Sequence, residues 1–193
     1  SGMTSLLEPN YELLSYFHGF TSWAKIYEKV KVVTKRLDDI DEIKDIDFFK
    51  LDIQGAELLV LQNAENKLKD CMVIQTEVEF LPMYKEQPLF SDIELFLRKN
   101  GFILHTFHNV SKRFVAPLAN PNNIFDGLNQ VFWTDAIFIK DFTKLELFSK
   151  EKLLKYCVIL HDIYKSFDLV LRTLHFVDAK FKTTYYDKYL KLL

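Results

Sequence analysis

The stretch Ile46-Asp47-Phe48-Phe49-Lys50-Leu51-Asp52-Ile53-Gln54-Gly55-Ala56-Glu57 sets the reading of this chain. Its first eight residues are a compact apolar run that stops just before Gly55. Such a run predicts a strand over 46–53, buried on both faces as in parallel sheets. The residues that follow, 56–69, have helix-forming composition. Leu58, Leu61, Ala64 and Leu68 fall on one stripe of that helix. Strand, glycine turn and helix in succession open a β-α-β unit.

Working outward toward the C terminus, the next apolar run predicts a second strand over 71–80. Pro82 and Pro88 punctuate a loop. Ser91 and Glu94 have capping-box spacing for a helix reaching Lys99, with Gly101 as its stop. A third strand is expected over 102–107, a long polar loop over 109–129, and a fourth strand over 130–140. Helical spacing then takes over. Ser149 caps one helix, and others are expected over 167–177 and 183–193. Toward the N terminus, 1–28 is irregular with room for a short helix. The β-branched Val30-Lys31-Val32-Val33-Thr34 predicts a short strand, and Asp38 or Asp39, with Glu42, a capped helix. The alternation implies an α/β layered sheet with right-handed crossovers. Two units are expected: an α/β domain over 1–140 and a helical extension over 141–193.

Ligands of such sheets sit beyond the carboxyl ends of the strands. That rule selects 52–57, 77–80 and 105–108. Lys50 and Asp52 share one face of an apolar strand, where a buried charge is costly unless paired. They either pair, flank a ligand, form a salt bridge to a helix, or are exposed at the strand end. Gln54, Gly55 and Glu57 form a strand-to-helix turn whose free N–H groups can face an anion, or are simply capped. Glu77 and Glu79 close the second strand on one face. Paired carboxylates there can act as a base or hold a cation, or stand solvated. His105 and His108 are weak evidence for a metal, and no metal is expected. Trp133 reads as core, and Asp135 has no assigned role.

Composition narrows the classes. The chain has 193 residues, a formal net charge of -2 and charges of both signs interleaved, which gives no basic stripe for nucleic acid. No apolar run reaches the ~20 residues that span a bilayer. Cys71 and Cys157 sit in apolar runs and read as buried thiols, which favours a reducing, cytoplasmic setting. Ser1-Gly2 ahead of Met3 reads as a remnant of tag cleavage, with Met3 as the native start. The five glycines, Gly2, Gly19, Gly55, Gly101 and Gly127, never come close enough to form a GxGxxG or Walker loop. A nucleotide hydrolase is thereby a poor fit.

The string Thr34-Lys35-Arg36-Leu37-Asp38-Asp39-Ile40, followed by 46–57, resembles the signature of FkbM-like methyltransferases. Glu77-Val78-Glu79-Phe80 with Met83-Tyr84, Pro88-Leu89-Phe90 and Gly101-Phe102 resemble it too. So do Ser5-Leu6-Leu7-Glu8-Pro9-Asn10 and Gln130-Val131-Phe132-Trp133-Thr134-Asp135. The resemblance implies a Rossmann-like methyltransferase sheet of which this chain holds only the later strands, followed by a helical extension. It implies S-adenosylmethionine as cofactor, with the strand ending at Lys50–Asp52 as the fourth of the sheet. The glycine-rich loop and the ribose-binding acid of the earlier strands have no counterpart here, so the chain reads as lacking the cofactor-binding half. The implied activity is O-methyl transfer to a small molecule or saccharide. Lys50, Asp52 and Glu77 would act at the methyl-transfer centre, and Gln54, Gly55 and Glu57 at the cofactor. The 46–53 strand should leave an open edge that takes a second copy or the missing half. The other class of function is a non-catalytic methyltransferase-like module that pairs through this edge.

Overall fold

A computed structural model describes residues 3–193; the expected tag remnant Ser1-Gly2 lies outside them. Four strands form one sheet: β1 (Phe48–Leu51), β2 (Val73–Glu79), β3 (Phe102–Lys112) and β4 (Val131–Lys140). Their order is β1-β2-β4-β3. β1 and β2 are parallel, as buried apolar runs predict. β4 enters between β2 and β3, antiparallel to both. The carboxyl ends of β1, β2 and β3 therefore meet the start of β4 at one end of the sheet. This is an α/β fold with a mixed sheet, consistent with a Rossmann-like methyltransferase.

Two layers of helix cover the sheet. α3 (Glu57–Gln62) and α4 (Phe90–Lys99) lie on one face, where Leu61, Ile93 and Leu97 pack against Leu51, Ile74, Val78 and Phe138. α5 (Lys150–Asp162) and α6 (Phe167–Phe181) lie on the other, where Tyr156, Leu160 and Val170 meet Val73, Ile137 and Ile139. Period-2 alternation in β2 and β4 feeds both cores from the same strands. Cys71 and Cys157 are free thiols buried in opposite layers. A third cluster closes the carboxyl end. There α1 (Tyr11–Leu14) and α2 (Phe20–Trp23) bring Leu14, Phe17 and Phe20 onto Tyr84 and Phe132. The chain ends in α7 (Tyr185–Leu190). No helix is long and apolar enough to cross a membrane among the described residues.

Several expectations are corrected. Residues 30–34 form no strand; Val30, Val32 and Val33 are exposed, because a β-branched run without a ladder partner has nowhere to place its backbone groups. The helix expected over 56–69 stops at Gln62. The Asp38 carboxylate instead accepts the N–H groups of Asn66 and Lys67. Asp38 thus caps a turn distant in sequence, and its own segment is a short 3₁₀ turn, Leu37–Asp39. In α4 the acid that reaches back is Asp92, which accepts the Leu89 N–H at 2.8 Å, rather than Glu94. Strand β3 continues past 107 into the segment expected as loop, since it pairs with β4 as far as Lys112. Ser149 caps α5 as expected, accepting the Lys152 N–H.

Candidate functional site

A cleft of about 530 Å³ opens at the carboxyl end of the sheet. Gln54 and Glu77 line its polar side. Phe20, Trp23, Tyr27 and Trp133 line the aromatic side. Trp133 is therefore a cleft wall as well as a packing residue, a correction to its reading as core. Trp23 and Tyr27 come from the opening segment, where the sequence shows no periodic pattern. The available signal was that the chain has only two tryptophans and that one lies in that segment.

The turn between β1 and α3 arranges the acids. Gln54 and Gly55 both take positive φ, 60° and 103°. A side chain at Gly55 would meet Gln87 Nε2 and Tyr84 Cδ2 at 3.0 Å, so the chain's own residues fill the approach that glycine permits. Glu57 is buried, and its carboxylate accepts the N–H groups of Ile53 at 2.8 Å and Gly55 at 2.9 Å. Burial raises its pKa. Of Gln54, Gly55 and Glu57, only Gln54 faces the cleft.

Gln54 sits between two carboxylates. Its Nε2 donates to Asp52 Oδ1 at 3.1 Å and to Glu77 Oε2 at 2.7 Å, while Oε1 accepts from the Tyr84 hydroxyl at 3.1 Å. Burial, then the carboxylates of Asp52 and Glu57, push Glu77 up to about 8. Glu79 is fully buried, and no hydrogen bond of ordinary geometry reaches its oxygens among the described residues, although the Gln87 amide lies near enough to lower its pKa in part. Burial, with Glu57 and Glu77 alongside, pushes it up to about 9. The shift favours the protonated, neutral form.

Lys50 and Asp52 are exposed, the alternative in which they stand at the strand end. β1 is the edge of the sheet, and Lys50 and Asp52 stand exposed there. The structure brings Asp52 and Glu77 together through Gln54. Lys50 stands two residues before Asp52, opposite Gln75. Gln75 in turn donates to Asp135 at 2.9 Å and accepts from the Tyr164 hydroxyl, which gives Asp135 a partner. His108 pairs in register with Asp135, whereas His105 bonds Ser166 Oγ at 2.7 Å behind the cleft.

Residues 4–104, more than half of the chain, match the methyltransferase FkbM domain. The chain belongs to this family. No curated protein and no solved structure shows a significant match to it.

The FkbM family implies S-adenosylmethionine dependence in general. The residues of this chain do not make a complete seat for that donor. The approach at Gly55 is filled by Gln87 and Tyr84, Glu57 occupies the N–H groups of the turn, and no glycine-rich loop is present. The open cleft instead offers aromatic faces and carboxylates.

Proposed function

We propose that this FkbM-domain chain supplies the acceptor side of an S-adenosylmethionine-dependent O-methyltransferase. The donor-binding half would then be contributed along the open edge of β1. The acceptor is a hydroxyl of a small molecule or saccharide. The observation that carries the reading is Glu77, a half-buried carboxyl on the cleft wall at the carboxyl end of β2, with pKa about 8. A base is most useful when its pKa lies near the working pH. Ionised Glu77 takes the proton of the acceptor hydroxyl, and the Gln54 amide steadies the ionised form. Trp23, Tyr27 and Trp133 offer flat apolar faces of the kind a sugar ring or an aliphatic ring packs against. Asp52 and the exposed Lys50 border the same end of the sheet and flank the place of methyl transfer.

Calorimetric titration separates the two halves of this proposal. Methyl glycosides should bind the chain, and binding should weaken about tenfold in Trp23→Ala, the loss of one stacking face. S-adenosylhomocysteine should bind poorly or not at all. Tight binding of S-adenosylhomocysteine would overturn the split pocket, and no binding of any hydroxylated acceptor would overturn the acceptor site. In a complete relative, the changes equivalent to Asp52→Asn and Glu77→Gln should slow turnover by about tenfold or more. Unchanged rates would remove both residues from the chemistry.

The second reading is a non-catalytic module that pairs through the edge of β1. It is favoured by that edge being open. Failure of every acceptor to bind, together with stable pairing, would select it.

A further inference from the structure

A second cavity, of about 110 Å³, lies at the opposite end of the sheet. It sits between α4 and the turns that follow α3. Leu61, Leu68, Phe96, Leu97 and Phe102 wall it. The last residue of β4, Lys140, also lines it, and is only 5% exposed. Its Nζ lies 3.7 Å from the centre of the Phe102 ring and donates one hydrogen bond, to the Asn100 carbonyl at 3.2 Å. An ammonium has three donors. No ion pair engages Lys140 among the described residues; Glu65 and Lys69 stand at the rim with opposite charges. Burial pushes the Lys140 amine down to about 8.

Asp70 acts on this amine only through space, without an ion-pair contact. A buried cation without a direct ion-pair partner is costly, and the usual remedies are a paired anion or loss of the proton. The cavity sets apolar walls around one buried cationic group, with the exposed pair Glu65 and Lys69 at its mouth. Its volume is that of roughly four liquid waters, enough for a chain of a few carbons. We propose that this cavity is a binding site for a small carboxylate with a short alkyl tail. The carboxylate pairs with Lys140 Nζ, and the tail lies among Leu68, Phe96 and Phe102. The site is separate from the aromatic cleft, and the proposal does not rest on methyl transfer.

The test is an amide chemical-shift titration of the isotopically labelled chain with sodium butyrate, at constant ionic strength. Saturable shifts in the millimolar range are expected at Leu68, Asn100 and Phe102. Butylamine and butan-1-ol, which keep the tail and lose the carboxylate, should give saturation at least about tenfold weaker, the worth of one charge-assisted hydrogen bond. Lys140→Met keeps the apolar volume and should abolish saturation by butyrate while preserving a dispersed spectrum. No saturable shift with butyrate, equal saturation by butan-1-ol, or saturation retained in a folded Lys140→Met chain would each overturn the proposal. If that variant fails to fold, the comparison of the three probes on the natural chain decides alone.

Discussion

Glu79 carries a buried carboxyl with no hydrogen bond of ordinary geometry to either oxygen, and this has a measurable cost. Its pKa near 9 lies far above that of an unfolded glutamate. Below the unfolded value both states hold the proton, and the stability is fully present. Between the unfolded value and about 9 the folded chain keeps a proton that the unfolded chain releases, so stability falls as pH rises. The slope approaches about 1.4 kcal/mol per pH unit for one group. Glu77 adds a slope of the same sign up to about 8. Glu79→Gln replaces the neutral carboxyl with a neutral amide of the same shape. Urea unfolding should show it more stable than the natural chain by over about 1 kcal/mol near pH 8, with the difference shrinking toward about pH 5. An equal difference at both pH values would show that Glu79 is ionised in the folded chain. The sequence made Glu77 and Glu79 legible as two acids on one face at a strand end. It could not show that one faces the cleft and the other is sealed in. That distinction depends on Met83, Tyr84 and the opening helices, which close over the end of β2.

Elements were legible where one local pattern matched one tertiary role, as in β2, β4 and α5. They were illegible where a distant group intervened. The stretch 56–69 has the composition of one helix, but Asp38 takes two of its N–H groups and bends it into turns. The 30–34 segment has strand composition without a strand beside it. A comparable distant tie joins α5 to the entry of β1. Lys152 bonds both Asp45 and Asp47, and Lys155 reaches Asp47 at 3.0 Å. The Lys152 side chain is 14% exposed, so this pair is less screened than a surface ion pair. Lys152→Met should cost about 1–3 kcal/mol, because it leaves a half-buried carboxylate short of a partner. A double-mutant cycle with Asp47→Asn should return a coupling of about 1 kcal/mol by urea unfolding. A coupling near zero would make the contact a surface pair of no consequence, and the docking of α5 purely apolar.

For the whole molecule the question is what lies beside β1. The Asp47 carbonyl accepts the Val73 N–H, and the register Phe48↔Val73 follows. In a parallel ladder, Asp47, Phe49 and Leu51 then turn their backbone groups to β2. By alternation, Phe48 and Lys50 turn theirs outward, to the open edge. A four-residue strand open on its outer side, with Phe48 and Phe49 only partly covered, forms a template for another strand. The family resemblance implies a further strand there, and a second copy of this chain can occupy the same edge. Lys50→Pro tests this directly. It removes an outward N–H without breaking any bond to β2, since proline is tolerated on an edge whose N–H faces away from the sheet. If copies pair through this edge, sedimentation of the natural chain should show mass rising with concentration, and Lys50→Pro should hold it at the monomer. A natural chain that stays monomeric at every concentration would leave the edge for a different partner, the donor-binding half. A dimer that survives Lys50→Pro would place the interface elsewhere, with the exposed valines at 30–33 the next surface to alter.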